Sequence, residues 1–229
     1  MPSPQQKLNS EQQELLSQHL AFVLDYNKQV NLTTISTVKE GLLLHVEDSL
    51  MALEELQQAP EGPLADLGSG GGFPGIPLAI ATGRPTTLIE SIAKKAQALQ
   101  CFVDQEGLGS QITVVAQRSE EFACGARGSF AVVTARAVSE LPVLVELAAP
   151  LLALGGQLVC YKGQPSPEEL AHGRGAASVC GLIEKSLRTC FLSDGTTQRT
   201  IVGYEKVGEP TIALPRRNGM AKKRPLGTR

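Results

Sequence analysis

Apolar residues recur every three or four positions along the first part of the chain, which is the spacing of one helix face. Two such stretches lie within residues 11–57, and the segment Asn-Leu-Thr-Thr at 31–34 breaks the pattern between them. Pro60, Gly62 and Pro63 then end this region, because proline and glycine interrupt helices. Residues 1–60 are therefore predicted to form an N-terminal helical extension.

From residue 64 onwards, short apolar runs alternate with segments of helical length. The predicted strands are 64–67, 87–89, 112–115, 130–134 and 157–161, and the predicted helices are 75–82, 93–106 and 139–152. This alternation predicts a doubly wound α/β domain with a mostly parallel sheet over residues 61–210. Two further runs, 183–192 and 199–206, flank an Asp-Gly turn and are predicted to close the sheet edge as an antiparallel pair.

The composition is that of a folded, soluble chain. It has 229 residues, of which 42% are apolar and 19% charged. No apolar run approaches the ~18 residues of a membrane-spanning helix, and residues 1–14 lack the apolar core of a signal peptide. The five cysteines are an odd number without a Cys-x-x-Cys pair, which argues against a zinc site and against a secreted disulfide framework. We expect a cytoplasmic monomer without a bound metal or a membrane partner.

Charge is distributed unevenly along the chain. The net charge is −2, but residues 211–229 carry six basic residues and no acidic one, which leaves −8 on residues 1–210. A basic segment beside an acidic body is typical of a protein with a polyanionic partner. The candidate RNA-binding residues are Arg216, Arg217, Lys222, Lys223 and Arg224. Alternatively, Pro215, Gly219 and Leu226 dock this segment on the domain as structure.

A glycine-rich loop follows the first predicted strand and precedes a predicted helix. Residues 66–75 read Asp-Leu-Gly-Ser-Gly-Gly-Gly-Phe-Pro-Gly. Glycines let the backbone turn sharply and approach a ligand closely. In an open parallel sheet, ligands bind at the carboxyl ends of the strands. The loop therefore predicts a ligand site.

One register of this loop matches a dinucleotide-binding pattern. Gly70, Gly72 and Gly75 fit G-x-G-x-x-G, and Glu90 lies where such folds place the acid that binds the ribose. That register is compatible with a nicotinamide-dependent oxidoreductase, although no Tyr-x-x-x-Lys pair is evident in the sequence.

The other register is similar to the first motif of class I methyltransferases that use S-adenosylmethionine. It places Asp66 at the strand end before Gly68 and Gly70. Asp66 would then hold the cationic amino acid end of the cofactor, directly or through water, and Glu90 would accept from both ribose hydroxyls. The alternative for Glu90 is a cap at the start of the next helix.

Several segments together resemble the bacterial 16S ribosomal RNA methyltransferase G family, also called glucose-inhibited division protein B. The most specific are the glycine loop with its Phe-Pro-Gly-Ile sequence at 73–76 and the segment His45-x-x-Asp48-Ser49-Leu50. Further matches lie at 118–120, 136–138 and 215–226. The resemblance implies a class I methyltransferase fold, S-adenosylmethionine as cofactor, and methyl transfer to N7 of a guanine at position 527 of 16S rRNA.

Carried over by position, the resemblance places the cofactor against Gly68, Phe73, the Ser119-Glu120 pair and Arg136. Ser119 stands where the family often has Ala or Val, so only its backbone is expected to matter. Arg136 is expected to contact either the cofactor carboxylate or an RNA phosphate. Taken with the loop pattern, the predicted cofactor site comprises Asp66, Gly68, Gly70, Phe73, Glu90, Ser119, Glu120 and Arg136.

The implied reaction needs no general base, because guanine N7 has a free lone pair. We therefore nominate no proton-transfer residue. His45, Asp48 and Ser49 lie at i, i+3 and i+4 on one helix face, and we expect them to brace the helical extension over the cofactor pocket. Asn31 and Lys162 are candidates for the substrate rim. A non-catalytic RNA-binding protein is the third functional class considered.

Overall fold

The computed structural model describes residues 8–228. Within this range seven strands form one sheet in the order β3-β2-β1-β4-β5-β7-β6. The strands are β1 Leu64–Leu67, β2 Thr86–Ile89, β3 Ile112–Val115, β4 Phe130–Arg136, β5 Leu152–Lys162, β6 Leu182–Phe191 and β7 Gln198–Lys206. Pairing is parallel from β3 through β5, whereas β7 runs antiparallel to both β5 and β6. The predicted mostly parallel sheet and its closing antiparallel pair are confirmed.

Helices precede, connect and follow the strands, and they cover both faces of the sheet. They are α1 Ser10–Tyr26, α2 Val38–Gly41, α3 Asp48–Leu50, α4 Leu53–Gln58, α5 Gly75–Thr82, α6 Ala93–Gln105, α7 Ser119–Gly125, α8 Leu141–Ala148, α9 Pro167–Cys180 and α10 Met220–Lys223. A π-helical turn, Leu42–Glu47, joins α2 to α3. Sequence patterning did not predict α7, α9 or α10. Among the helices of residues 8–228, none is both long enough and apolar enough to cross a membrane.

Alternate residues of the strands point to opposite faces of the sheet. One face packs against α7, α8 and α9 in a cluster that includes Leu67, Val133 and Leu158. The other face carries Leu64, Val132 and their neighbours, which pack against α4 and α5. Burial of these apolar side chains on both faces is what stabilises a parallel sheet.

The helical extension shares its core with the sheet domain. Helix α1 begins with a capping box, in which Asn9 and Gln12 each accept a backbone hydrogen bond from the other. Its buried side includes Leu20, which belongs to the same apolar cluster as Ile76 of α5 and Leu88 of β2. Residues 8–60 therefore pack as part of one core with the sheet and do not form a separate domain.

Polar contacts attach the extension to the far edge of the sheet as well. Glu47 accepts hydrogen bonds from the backbone N–H and the hydroxyl of Ser193, both at 2.6 Å. Arg188 of β6 donates to both carboxylate oxygens of Glu55, at 2.8 and 2.7 Å. These contacts hold the β6–β7 turn and the edge strand against the extension.

Candidate cofactor site

A cavity of about 250 Å³ lies at the carboxyl ends of the central parallel strands. This is the edge at which open α/β sheets bind ligands. Its apolar wall comprises Leu67, Ile89, Val138, Val143 and Leu147, and its polar lining includes Ser91, Gln117, Arg118, Ser119 and Glu120. Apolar walls with a few convergent polar groups are typical of small-molecule sites.

Gly68 lies where the ends of β1 and β4 meet. Its φ is +66°, and a Cβ at this position would lie 2.8 Å from Val138 Cγ2. The facing turn is also unusual, because Ala137 has a φ of +57°. A positive φ in a residue other than glycine is uncommon and concentrates at functional sites. The turn at Ala137 brings Val138 against the glycine loop, and both Gly68 and Val138 line the cavity.

Asp66 lies beneath the loop and is fully buried. Its Oδ1 accepts a hydrogen bond from Thr134 Oγ1 at 2.8 Å, and its Oδ2 accepts from the backbone N–H of Gly75 at 3.2 Å. Burial raises the pKa of the Asp66 carboxyl to about 6, although the hydrogen bonds oppose the rise. In this structure the side chain of Asp66 ties β1 to β4 and to the start of α5.

Glu90 is buried at the end of β2 and holds the loop from the other side. Its Oε2 accepts from the backbone N–H of Gly70 at 2.9 Å, and its Oε1 accepts from the N–H of Ile92 at 2.8 Å. Ile92 precedes α6, so one carboxylate joins the glycine loop to the start of that helix. A carboxylate has room for about four hydrogen bonds, so Glu90 retains acceptor capacity for a ligand.

Phe73 packs between two histidines of the helical extension. Its ring centroid is 4.4 Å from that of His45, with the planes 8° apart, and 4.4 Å from that of His19. His19 Nε2 is 2.9 Å from the carbonyl oxygen of Gly71, to which it donates. Burial lowers the pKa of His19 to about 3, so its ring is neutral. The structure thus shows Phe73 anchoring the loop to the extension.

Arg136 ends β4 and is directed at the helical extension. Its Nη1 donates to Asp48 Oδ2 at 2.9 Å and to the carbonyl of Leu44 at 3.0 Å, and its side chain is only 12% exposed. Its Nη2 lies 3.3 Å from His45 Nδ1. Burial, and secondarily the nearby Arg136 charge, lower the pKa of His45 to about 4. The side chains of His45 and Asp48 thus brace the extension against the end of β4.

Helix α3 receives two further contacts that sequence patterning did not identify. Arg199 of β7 donates through Nε to Asp48 Oδ1 at 2.9 Å. The hydroxyl of Tyr161 on β5 donates to the carbonyl of Ser49 at 2.6 Å. Neither residue lies near the 45–50 motif in sequence, and only the strand order brings them to it. The buried carboxylate of Asp48 therefore lies between two arginines.

Ser119 and Glu120 begin α7 and line the cavity directly. Glu120 Oε2 accepts from the hydroxyl of Ser119 at 3.2 Å, and its Oε1 accepts from the backbone N–H of Gly219 at 2.8 Å. Gly219, Ala221 and Lys222 also line the cavity. Of the predicted cofactor residues, Gly68, Ser119 and Glu120 thus face the cavity.

The basic C-terminal segment is folded onto the domain. Leu214 is buried in the core, and Arg216 is paired with Glu146 of α8, with its Nε 2.7 Å from Oε1. Arg216 was predicted to reach RNA phosphates, and in the structure its guanidinium is paired with Glu146, so its predicted RNA contact stays a prediction. Arg217, Lys222, Lys223 and Arg224 are exposed.

Comparison with protein-family models decides the family. Residues 12–202 match the model described as rRNA small subunit methyltransferase G. The chain belongs to this family. Curated members are 37% identical over 223 residues in Desulfitobacterium hafniense and 39% identical over 221 residues in Deinococcus radiodurans. These alignments cover 96% and 93% of this chain, and 92% and 85% of the respective relatives.

Solved structures of more distant proteins agree with the fold. Geranyl diphosphate C-methyltransferase from Streptomyces coelicolor, solved with S-adenosyl-L-homocysteine, has a TM-score of 0.53 at 15% identity, covering 69% of this chain and 75% of that one. A point mutant of MtNAS, solved with S-adenosylmethionine, has a TM-score of 0.54 at 14% identity, covering 85% and 73%. The fold of this chain is that of class I S-adenosylmethionine-dependent methyltransferases.

As a member of the methyltransferase G family, the chain is an S-adenosylmethionine-dependent rRNA methyltransferase. The residues of the crevice suit this cofactor, because apolar walls accept an adenine ring and the polar lining offers partners for its hydroxyl and amino groups. Family membership removes the alternative of a nicotinamide-dependent oxidoreductase. Across residues 8–228, no group of three or more His, Cys, Asp or Glu side chains is arranged to hold a metal ion.

Proposed function

We propose that this chain transfers a methyl group from S-adenosylmethionine to N7 of a guanine in 16S rRNA, as a cytoplasmic monomer. The choice of N7 is what the family resemblance implies, and one observation supports it. Of the described residues that line the crevice, none is a histidine, cysteine, tyrosine or aspartate. The one lining carboxylate, on Glu120, already accepts hydrogen bonds from Ser119 and Gly219. A lining without a histidine, cysteine, tyrosine or aspartate suits a nucleophile that has its own lone pair and needs no general base.

When bound, S-adenosylmethionine would supply an electrophilic methyl group. The lone pair of guanine N7 would accept it as the S–CH3 bond breaks, which leaves S-adenosylhomocysteine and requires no proton transfer. The chain then contributes binding and alignment of the two reactants. Gly68, Ser119 and Glu120 line the cavity, and Gly68 and Ser119 are the proposed direct contacts. Asp66 and Glu90 fix the backbone of the glycine loop through Gly75 and Gly70, and Glu90 keeps acceptor capacity for the ribose.

Phe73 and Arg136 are proposed to act on the site chiefly through the loop and the extension. Phe73 is fixed by His45 and His19, and Arg136 by Asp48. Arg136 nevertheless lies 5.7 Å from the centre of the Phe73 ring, so its charge stays close to the loop. This arrangement sets the relative position of extension and loop, and alignment of this kind contributes substantially to the rates of two-substrate reactions.

The substrate must present its guanine outside a regular duplex. N7 faces the major groove, which in A-form RNA is too deep and narrow for protein side chains. The target base therefore lies in an opened segment or is turned out of its stack. With six Phe, three Tyr and no Trp in the chain, few aromatic side chains are available for stacking. We infer that RNA binding depends mainly on charge, including the exposed Arg217, Lys222, Lys223 and Arg224.

The proposal is tested by following a tritiated methyl group from labelled S-adenosylmethionine into RNA. Naked 16S rRNA and assembled small subunits are offered separately, and the product is digested to nucleosides and mapped by mass spectrometry. We expect the label in 7-methylguanosine at one site. Label in another nucleoside would reject N7 as the target. Binding of the RNA without any transfer would support the non-catalytic alternative instead.

A further inference from the structure

The C-terminal segment 216–222 forms one wall of the cofactor crevice. Gly219, Ala221 and Lys222 line the cavity, whose other walls come from the ends of β1, β2 and β4, from the start of α7 and from α8. The segment lies beyond residues 12–202 that match the family model. Charge alone predicted an RNA-binding role for it, but its inner side contacts the space in which the cofactor is proposed to bind.

Carboxylates of the domain hold this wall in place at successive points. The backbone N–H of Gly219 donates to Glu120 Oε1 at 2.8 Å, and the side-chain amide of Asn218 donates to Glu121 Oε1 at 2.5 Å. Arg216 is paired with Glu146, as described above. Ala221 is buried against the domain. The wall therefore has a defined position, which depends on acids of α7 and α8.

We propose that segment 216–222 is a constituent of the cofactor site and that Glu120 is a positioning residue, acting on the cofactor through Gly219. This rests on the cofactor occupying the crevice, as proposed above. The oxygen of Glu120 that accepts from Gly219 fixes the wall, and the other oxygen accepts from the hydroxyl of Ser119. Without the wall, one side of the crevice opens to water, which weakens the contacts made by a bound ligand.

The test measures binding of S-adenosylhomocysteine by calorimetry, without RNA. Gly219 has a φ of +76°, a conformation that other residues rarely adopt, so Gly219→Ala should strain the backbone of the wall. The added Cβ would meet nothing within 4 Å, so no steric clash contributes to the effect. Loss of a hydrogen bond to a carboxylate predicts binding about tenfold weaker.

Gly195→Ala is the matched control, with a φ of +70°, equally open surroundings and a place in the β6–β7 turn. It should bind like the parent protein, and equal binding by both variants would overturn the proposal.

Glu120 is tested by two substitutions. Glu120→Gln keeps an oxygen that accepts from Gly219, whereas Glu120→Ala removes it, so we expect Gln to restore most of the affinity that Ala loses. Equal losses would mean that the charge of Glu120 acts on the ligand directly, and would overturn the positioning role. In the unmodified protein, S-adenosylhomocysteine should also slow amide hydrogen exchange across residues 216–222, and unchanged exchange there would count against the wall.

A further variant separates this inference from the proposed site itself. Ser91 is exposed and lines the cavity, so Ser91→Trp should fill the crevice without disturbing the core. If Ser91→Trp abolishes binding while Gly219→Ala leaves it unchanged, the cofactor site stands and the wall is rejected. If Ser91→Trp binds as tightly as the parent protein, the cofactor lies elsewhere and both proposals fall.

Discussion

Asp48 Oδ2 accepts a hydrogen bond from Arg136 Nη1 at 2.9 Å, and this contact joins the helical extension to the end of β4. The other oxygen of Asp48 accepts from Arg199 of β7 at 2.9 Å. The Asp48 side chain is only 3% exposed. One buried carboxylate therefore compensates two guanidinium groups on two strands. Asp48 therefore links the helical extension to two strands of the sheet.

Asp48→Asn should destabilise the fold strongly. The substitution removes the negative charge that compensates the guanidinium groups of two arginines. Breaking a buried ion pair by removing one partner typically costs about 3–5 kcal/mol. Arg136 and Arg199 are 12% and 22% exposed, so solvent reduces this cost and the lower end of the range is expected. Urea denaturation provides the measurement.

The matched control for Asp48→Asn is Asp25→Asn. Asp25 pairs with Lys28 on the surface, where both side chains are about three-quarters exposed. Exposed ion pairs contribute roughly 0–1 kcal/mol. Similar losses in the two variants would show that the Asp48 network does not join the extension to the sheet.

The sequence predicted the sheet better than it predicted the helices around it. Strand β1 was predicted at its observed bounds because residues 64–67 form a short run that is apolar except for Asp66. All four residues are buried in the structure. Helix α9 was missed because Gly173 and Gly175 interrupt its pattern. Both glycines allow close packing: a Cβ at Gly173 would lie 2.5 Å from the hydroxyl of Tyr204, and one at Gly175 would lie 2.9 Å from Gly227 Cα. Local propensity opposes glycine in helices, whereas tertiary packing requires it here.

The cofactor site was predicted only in part, because a sequence pattern reveals features that are local along the chain and not contacts between distant residues. The glycine loop and Glu90 are adjacent to strands along the chain, so their pattern is visible in one sequence. Arg199 and Gly219 act at points 151 and 99 residues away from their partners Asp48 and Glu120. Nothing local to either residue signals such a contact. The basic composition of 211–229 favoured an RNA-binding segment, with docking through Pro215, Gly219 and Leu226 as the alternative, and the packing of Leu214 and the pairing of Arg216 show that the segment is docked.

The pH dependence of stability should reveal the buried carboxyl of Asp66. Its pKa is raised from 3.8 to about 6 in the folded protein, so the folded state binds this proton more tightly than the unfolded chain. The contribution of protonated Asp66 to the stability of the fold is fully present below about pH 3.8 and is lost as the pH rises through about 6. Each unit of pKa shift corresponds to about 1.4 kcal/mol.

Asp66→Asn isolates that contribution. The amide can place its oxygen towards the N–H of Gly75 and its NH₂ towards Thr134 Oγ1, so the fold should survive. The stability of this variant relative to the parent should increase from pH 4 to pH 7, as measured by urea denaturation at several pH values. Asp25→Asn makes the same chemical change on the surface and serves as control. A constant difference between Asp66→Asn and the parent would contradict a raised pKa.

The rate of methyl transfer should be nearly independent of pH between about pH 6.5 and 9. A catalytic histidine or cysteine would titrate in that range. His19 and His45 have their pKa values lowered to about 3 and about 4, so both are neutral throughout it. Single-turnover rates with saturating cofactor and RNA provide the measurement. A sigmoidal profile that disappears in His45→Asn would show that a proton is transferred after all.

The exposed cations of the C-terminal segment should contribute to RNA affinity without stabilising the fold. In the variant, Arg217, Lys223 and Arg224 are changed to Gln, while Lys222 is kept because it lines the crevice. The acidic body repels RNA, so removal of these charges should weaken binding. The slope of log affinity against log salt should fall by about 0.7 for each phosphate of single-stranded RNA that the variant no longer neutralises. Filter binding at several salt concentrations measures both quantities.

Two comparisons separate RNA contact from structure in this segment. Arg216→Gln removes a single charge but leaves the carboxylate of Glu146, which is only 3% exposed, without its partner. This variant should therefore lower the melting temperature, whereas the triple variant should leave it unchanged. A second triple variant, with Lys28, Arg174 and Lys185 changed to Gln, removes the same charge from exposed positions elsewhere. If it weakens RNA binding and reduces the salt slope as much as the C-terminal variant does, only net charge matters. A larger effect at the C-terminal positions is expected, because Lys222 and its neighbours lie at the rim of the crevice to which the guanine must be delivered.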